Sequence, residues 1–115
     1  MKKDRALAAL AALAQDNRLD IFRLLVEAGP DGMPAGQVSE KLHLAPNNLT
    51  FHFDRLRAAD LVTVRREGRS MIYAARFQTM NDLLAYLTEN CCQGAPCAPA
   101  SICKPVRGKR TKVLA

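Results

Sequence analysis

No apolar run in the 115 residues approaches the ~20 needed to cross a bilayer, which excludes a membrane-spanning helix. There is no C-x-x-C, so a thioredoxin-type redox centre is disfavoured. A cysteine phosphate loop of the C-x5-R kind is missing too, because Lys109 stands six residues after Cys103 and no glycine-rich cradle surrounds it. Nor does the chain contain G-x-G-x-x-G, a nucleophile elbow or H-E-x-x-H. These absences argue against an enzyme. Histidine is scarce: His43 and His52 are the two present, and neither has a carboxylate or a second histidine at metal-ligand spacing. The basic start, Met1-Lys2-Lys3-Asp4-Arg5, runs into alanines and leucines interrupted early by Asp16 and Asn17. That is an amphipathic helix and not a secretion signal, so a cytoplasmic protein is expected.

What is present fits one domain, since domains commonly hold about 100–150 residues. Hydrophobic residues at 49% and charged residues at 24% give a globular mix. The net charge of +6 is unevenly placed. The terminal segment Lys104–Ala115 holds Lys104, Arg107, Lys109, Arg110 and Lys112 with no acid, leaving twelve basic against eleven acidic residues in the first 103. A high pI therefore says little about the body, and nucleic-acid binding needs a local argument. All four cysteines lie between positions 91 and 103, a clustering that points to metal or redox chemistry.

From Lys3 to Ala14 the chain is rich in alanine, with Leu7, Leu10 and Leu13 forming a narrow apolar stripe on a helix. Asp16 or Asn17 can cap a second helix through Leu19, Phe22, Leu25 and Val26, ended by Gly29-Pro30. A short helix is expected over Ala35 to His43. Pro46 suits the first turn of the next, which runs to about Ala59 with Leu49, Phe53 and Leu56 inward. Two helices separated by a tight turn at Leu44-Ala45 predict a helix-turn-helix. The period then changes from 3.6 to 2. Val62–Arg66 and Ser70–Ala74 flank Glu67-Gly68-Arg69 and predict a hairpin. Thr79 and Asp82 have capping-box spacing and would open a last helix carrying Met80, Leu83, Leu84, Leu87 and Cys91 on one face. The expected fold is mainly α with a β-hairpin wing, a winged helix-turn-helix over residues 1–92. Residues 93–115 are expected to be a cysteine-containing loop and a flexible basic tail.

On this reading the Pro46 helix presents Asn47, Asn48, Thr50, Phe51, His52 and Arg55 outward. Asparagine can pair with adenine, threonine with a base edge, and histidine and arginine can reach phosphates. The hairpin adds Arg65, Arg66 and Arg69 against a single Glu67, suited to lying along a phosphate backbone. Double-stranded DNA is the expected partner. Cys91, Cys92, Cys97 and Cys103 fit the C-x(2–4)-C spacing of zinc modules poorly. Three thiolates gathered by a loop better suit a soft three-coordinate ion such as trivalent arsenic or antimony, As(III) or Sb(III).

These pieces resemble the ArsR/SmtB family of metal-responsive winged-helix repressors over about residues 5–92. The likeness rests on Leu13–Ile21 (LAQDNRLDI), on Leu44–Leu56 (LAPNNLTFHFDRL) and on Leu61-Val62 with Arg66–Tyr73 (REGRSMIY). It implies a homodimer joined through the first and last helices, binding operator DNA without inducer. The arsenic motif that many members carry on the first helix of the helix-turn-helix is absent, since Gly36–Leu42 has no cysteine. The zinc-type histidines of the last helix are absent as well. Leu84–Cys92 instead resembles the subgroup whose arsenite site uses an adjacent cysteine pair and one more downstream. That implies Cys91 and Cys92, with Cys97 as third ligand, favoured by its shorter loop, or Cys103 in its place. The expected function is an arsenite-responsive repressor. A redox- or zinc/cadmium-sensing repressor of the same fold, or a thiol-based arsenite carrier, remains as the alternative.

Overall fold

Alanine sets the packing of the first helix. In the computed structural model, which describes residues 1–94, α1 spans Lys3–Leu13 and buries Ala6, Ala9 and Ala12. These small side chains let it lie close against α2, α4 and α5, while Leu7 at 57% and Leu10 at 40% exposure point away. Helix α2, Asp16–Ala28, is capped by Gln15, whose side-chain oxygen accepts the Arg18 N–H at 2.9 Å. The cap expected from Asp16 or Asn17 thus falls one residue earlier, so both of those residues lie inside the first turn. The helix buries Ile21, Phe22 and Leu25, and its last carbonyls at Leu25 and Val26 receive the N–H of Gly29.

The helix-turn-helix follows. Helix α3, Ala35–Leu42, ends at His43 in the left-handed region with φ of +55°. Ser39 closes the turn, its hydroxyl donating to the Leu44 carbonyl while its own carbonyl accepts the Leu44 N–H at 3.1 Å. Helix α4, Pro46–Ala58, begins on proline as expected and buries Leu49, His52, Phe53 and Leu56. Strands β2, Val62–Glu67, and β3, Ser70–Ala75, pair antiparallel with Glu67 opposite Ser70. Gly68 takes the first position of the two-residue loop at φ of +61°, the requirement of a type II′ hairpin turn.

A third strand stands between α2 and α3. Strand β1, Met33–Pro34, pairs with β3 and gives the sheet order β1-β3-β2. The preceding Gly32 makes this possible. At φ of +74°, a Cβ there would stand 2.4 Å from the Tyr73 carbonyl oxygen. Tyr73 also stacks on Phe53 of α4, with centroids 3.6 Å apart and planes 4° from parallel. The core thus runs from α2 through α4 to the sheet, with Ile21, Leu25, Val38, Phe53, Leu56 and Leu61 fully buried.

Helix α5, Phe77–Thr88, starts two residues before the expected capping box. Thr79 does not cap; it is buried inside the helix beside Leu83, and the side chain of Gln78 donates to Asp82 at 2.8 Å. Nor does the helix reach Cys91. Glu89 is extended and Asn90 is left-handed at φ of +59°, a conformation asparagine tolerates, and a 3-10 turn covers Cys91–Gly94. Asp60, itself left-handed, receives Arg5 of α1 at 2.8 Å and Arg76 at 3.2 Å, drawing the starts of α1 and α5 to the end of α4. Among the described residues no helix is long and apolar enough to cross a membrane. Cys97, Cys103 and the basic segment Lys104–Ala115 lie outside the described residues.

Candidate nucleic-acid interface

The start of α4 is a polar, solvent-facing helix end. Asn47, Asn48 and Thr50 are exposed on its first turns, and Pro46 occupies a position that needs no N–H partner. The N–H groups of the first turn and the helix dipole favour an anion there. The Thr50 hydroxyl donates back to the Pro46 carbonyl at 3.0 Å, leaving its oxygen able to accept. Further along, Phe51 is 51% exposed, with the Arg55 guanidinium 5.1 Å from its ring centre.

His52 corrects the expected outward row. It is 7% exposed, on the side of α4 that carries Leu49, Phe53 and Leu56. Helical spacing explains this: position 52 is three residues from 49 and four from 56, and so belongs to the inner face. Its Nδ1 is buried and has no hydrogen-bond partner, and its ring meets Phe51 edge-on at 5.6 Å. Burial, and after it the positive charge of Arg18, lowers its pKa from the usual 6.5.

The wing arginines divide into two kinds. Arg65 donates to Glu67 at 2.7 Å and to the Asp31 carbonyl at 2.8 Å, tying the wing to the loop before β1. Arg66 and Arg69 are exposed and have no carboxylate partner among the described residues. They are the charges the wing holds out to solvent. Cys91 and Cys92 are exposed just beyond α5, and among the described residues no three histidine, cysteine or acidic side chains gather into a cluster.

Residues 13–65, from the last residue of α1 to Arg65 in β2, match the family described as a helix-turn-helix domain. The chain is 32% identical over 73 residues to an uncharacterized HTH-type transcriptional regulator, YceK, of Bacillus subtilis strain 168, spanning 64% of this chain and 72% of that protein. It is 30% identical over 89 residues to the nodulation protein NolR of Rhizobium meliloti, covering 76% and 70% of the two chains. The chain belongs to the family of helix-turn-helix transcriptional regulators. The solved structure of an ArsR-like transcriptional regulator from Rhodococcus sp. RHA1 superposes with a TM-score of 0.65 at 24% identity, over 73% of this chain and 76% of that one, and shares its fold. The helix-turn-helix is its DNA-binding element. One residue of the neighbourhood escaped the sequence reading as a site residue. Arg18 stands in the segment LAQDNRLDI, and only the fold turns its side chain toward Phe51 and Arg55 of α4.

Proposed function

We propose that the chain is a homodimeric repressor that holds operator DNA through α4 and the wing and releases it on binding trivalent arsenic or antimony. One observation carries the reading. Leu7 and Leu10 on α1 and Leu87 on α5 are exposed leucines of two packed helices, and Leu87 stands four residues of chain before the exposed Cys91. Exposed apolar side chains of this size on adjacent helices favour a second copy as their cover. A ligand held at Cys91 and Cys92 would then sit at the margin of the dimer seam.

In the dimer, two α4 helices address successive major grooves at half-sites ~34–36 Å apart. Asn47, Asn48 and Thr50 read base edges, while Arg66 and Arg69 hold phosphates. Cys91 and Cys92 supply two sulfurs of a pyramidal As(III) or Sb(III) site, and Cys97 or Cys103 the third. Repositioning the seam changes the separation of the reading helices. A coupling of about 1–3 kcal/mol weakens DNA binding some 5- to 150-fold.

The test is operator-DNA anisotropy on the fully reduced chain, titrated in turn with arsenite, zinc and an oxidant. Arsenite should release the DNA. Cys91→Ser and Cys92→Ser should abolish release and leave inducer-free binding intact; Cys97→Ser should be severe and Cys103→Ser mild. Normal release from either Cys91→Ser or Cys92→Ser refutes the site. Release by zinc or oxidant alone would make the chain a zinc- or redox-sensing repressor, and failure to bind any DNA would favour a thiol carrier.

A further inference from the structure

We propose that the cleft between α1, the start of α2 and the second half of α4 binds a small carboxylate carried on a flat apolar body. The cleft has a volume of about 380 Å³. That lies at the lower end of the range for small-molecule sites, about 300–1,000 Å³. Its two long walls are alanines, Ala8 and Ala11 from α1 and Ala58 and Ala59 at the end of α4. Side chains this short leave a slot between two helix backbones and present no polar atoms to it. Phe51 supplies an aromatic surface at the same opening. The shape and chemistry of these walls favour a flat apolar group.

Charge selects the rest of the ligand. Arg18 and Arg55 both line the cleft, and neither has a carboxylate partner among the described residues. Each guanidinium is already held in place. Arg18 Nε donates to the Ala12 carbonyl at 2.7 Å, which leaves its terminal N–H groups for another acceptor, and Arg55 lies over the Phe51 ring. Prearranged forked donors of this kind suit a carboxylate, and their fixed positions reduce the entropy lost on binding. An occupant would hold the reading helix against α1, on the side of α4 away from the buried core.

Sodium benzoate is the probe, with benzamide as the neutral body of the same shape and inorganic phosphate as the bare anion. Amide shifts of the 15N-labelled full chain are followed at constant ionic strength, without DNA, so the result is independent of the operator reading. Benzoate should shift Ala11, Phe51 and Arg55 saturably. Benzamide and phosphate should each bind at least about tenfold more weakly, as loss of a charged hydrogen bond or of the apolar contact requires. Arg18→Gln and Arg55→Gln should each weaken benzoate by about tenfold. Ala11→Leu should abolish binding by filling the slot, and position 11 is exposed, so the fold survives. No saturation by about 10 mM, a weaker affinity than any useful site shows, overturns the proposal. So does equal binding of benzamide or phosphate, or undiminished binding to Ala11→Leu.

Discussion

His52→Phe separates two roles for one side chain. If His52 read DNA, its loss would cost operator affinity. The structure places it inside, 7% exposed, with Nδ1 buried and unpartnered. A buried polar atom without a partner costs about 1–3 kcal/mol. Phenylalanine keeps an aromatic ring against Phe51 and removes that atom, while its slightly larger ring costs part of the gain in packing strain. The net expectation at pH 7.5 is a gain of about 1 kcal/mol, or roughly 4–8 °C in Tm for a domain of this size. The pH dependence gives a second readout. Burial and Arg18 lower the pKa of folded His52 from 6.5. Below about pH 6.5 the unfolded chain therefore binds more protons than the native one, and stability falls as pH drops through that value. Above it, both states hold a neutral imidazole and the contribution is flat. Urea denaturation of parent and His52→Phe at pH 7.5 and 5.5, followed by circular dichroism, should show a larger loss on acidification in the parent. Operator affinity of the variant should stay within about threefold of the parent's, since a lost base contact would cost ~1–3 kcal/mol. Equal acid sensitivity, or a folded variant with strongly reduced operator affinity, would refute the placement.

Gly32→Ala should destabilise by roughly 2–4 kcal/mol in urea melts, because a left-handed alanine is strained and its Cβ would meet the Tyr73 carbonyl at 2.4 Å; a loss below half of that would mean β1 shifts freely. Asn47→Ala, Asn48→Ala and Thr50→Ala should weaken operator binding by ~1–3 kcal/mol with little effect on unrelated DNA. Arg66→Ala and Arg69→Ala should weaken all DNA alike and each lower the salt slope by about 1, whereas Arg65→Ala should lower stability first, through the lost Asp31 and Glu67 contacts. Leu7→Glu combined with Leu87→Glu should give a folded monomer by sedimentation; a persisting dimer would place the seam elsewhere.

Local chemistry by itself determined most of the elements. The proline at 46, the change of period from 3.6 to 2 after Leu61, and the glycine at 68 each act within a few residues, so α4 and the hairpin stand where the sequence puts them. The polar start of α4 and the arginines of the wing were legible for the same reason. Choices between competing local options were settled only by tertiary packing. Gln15 caps α2 in place of Asp16 or Asn17, and α5 begins at Phe77 with Thr79 buried inside it. A two-residue strand has no periodicity to read; β1 exists because β3 offers an edge and Gly32 can approach the Tyr73 backbone. Apolar pattern told that α1 and α4 are amphipathic, but alanine and histidine are ambivalent about burial. Ala6 and Ala9 turned inward where backbones had to approach closely, His52 followed them because helical spacing set it between Leu49 and Leu56, and Arg18 reached the cleft beside α4. Such placements depend on what the opposite helix presents, and that is a property of the assembled fold.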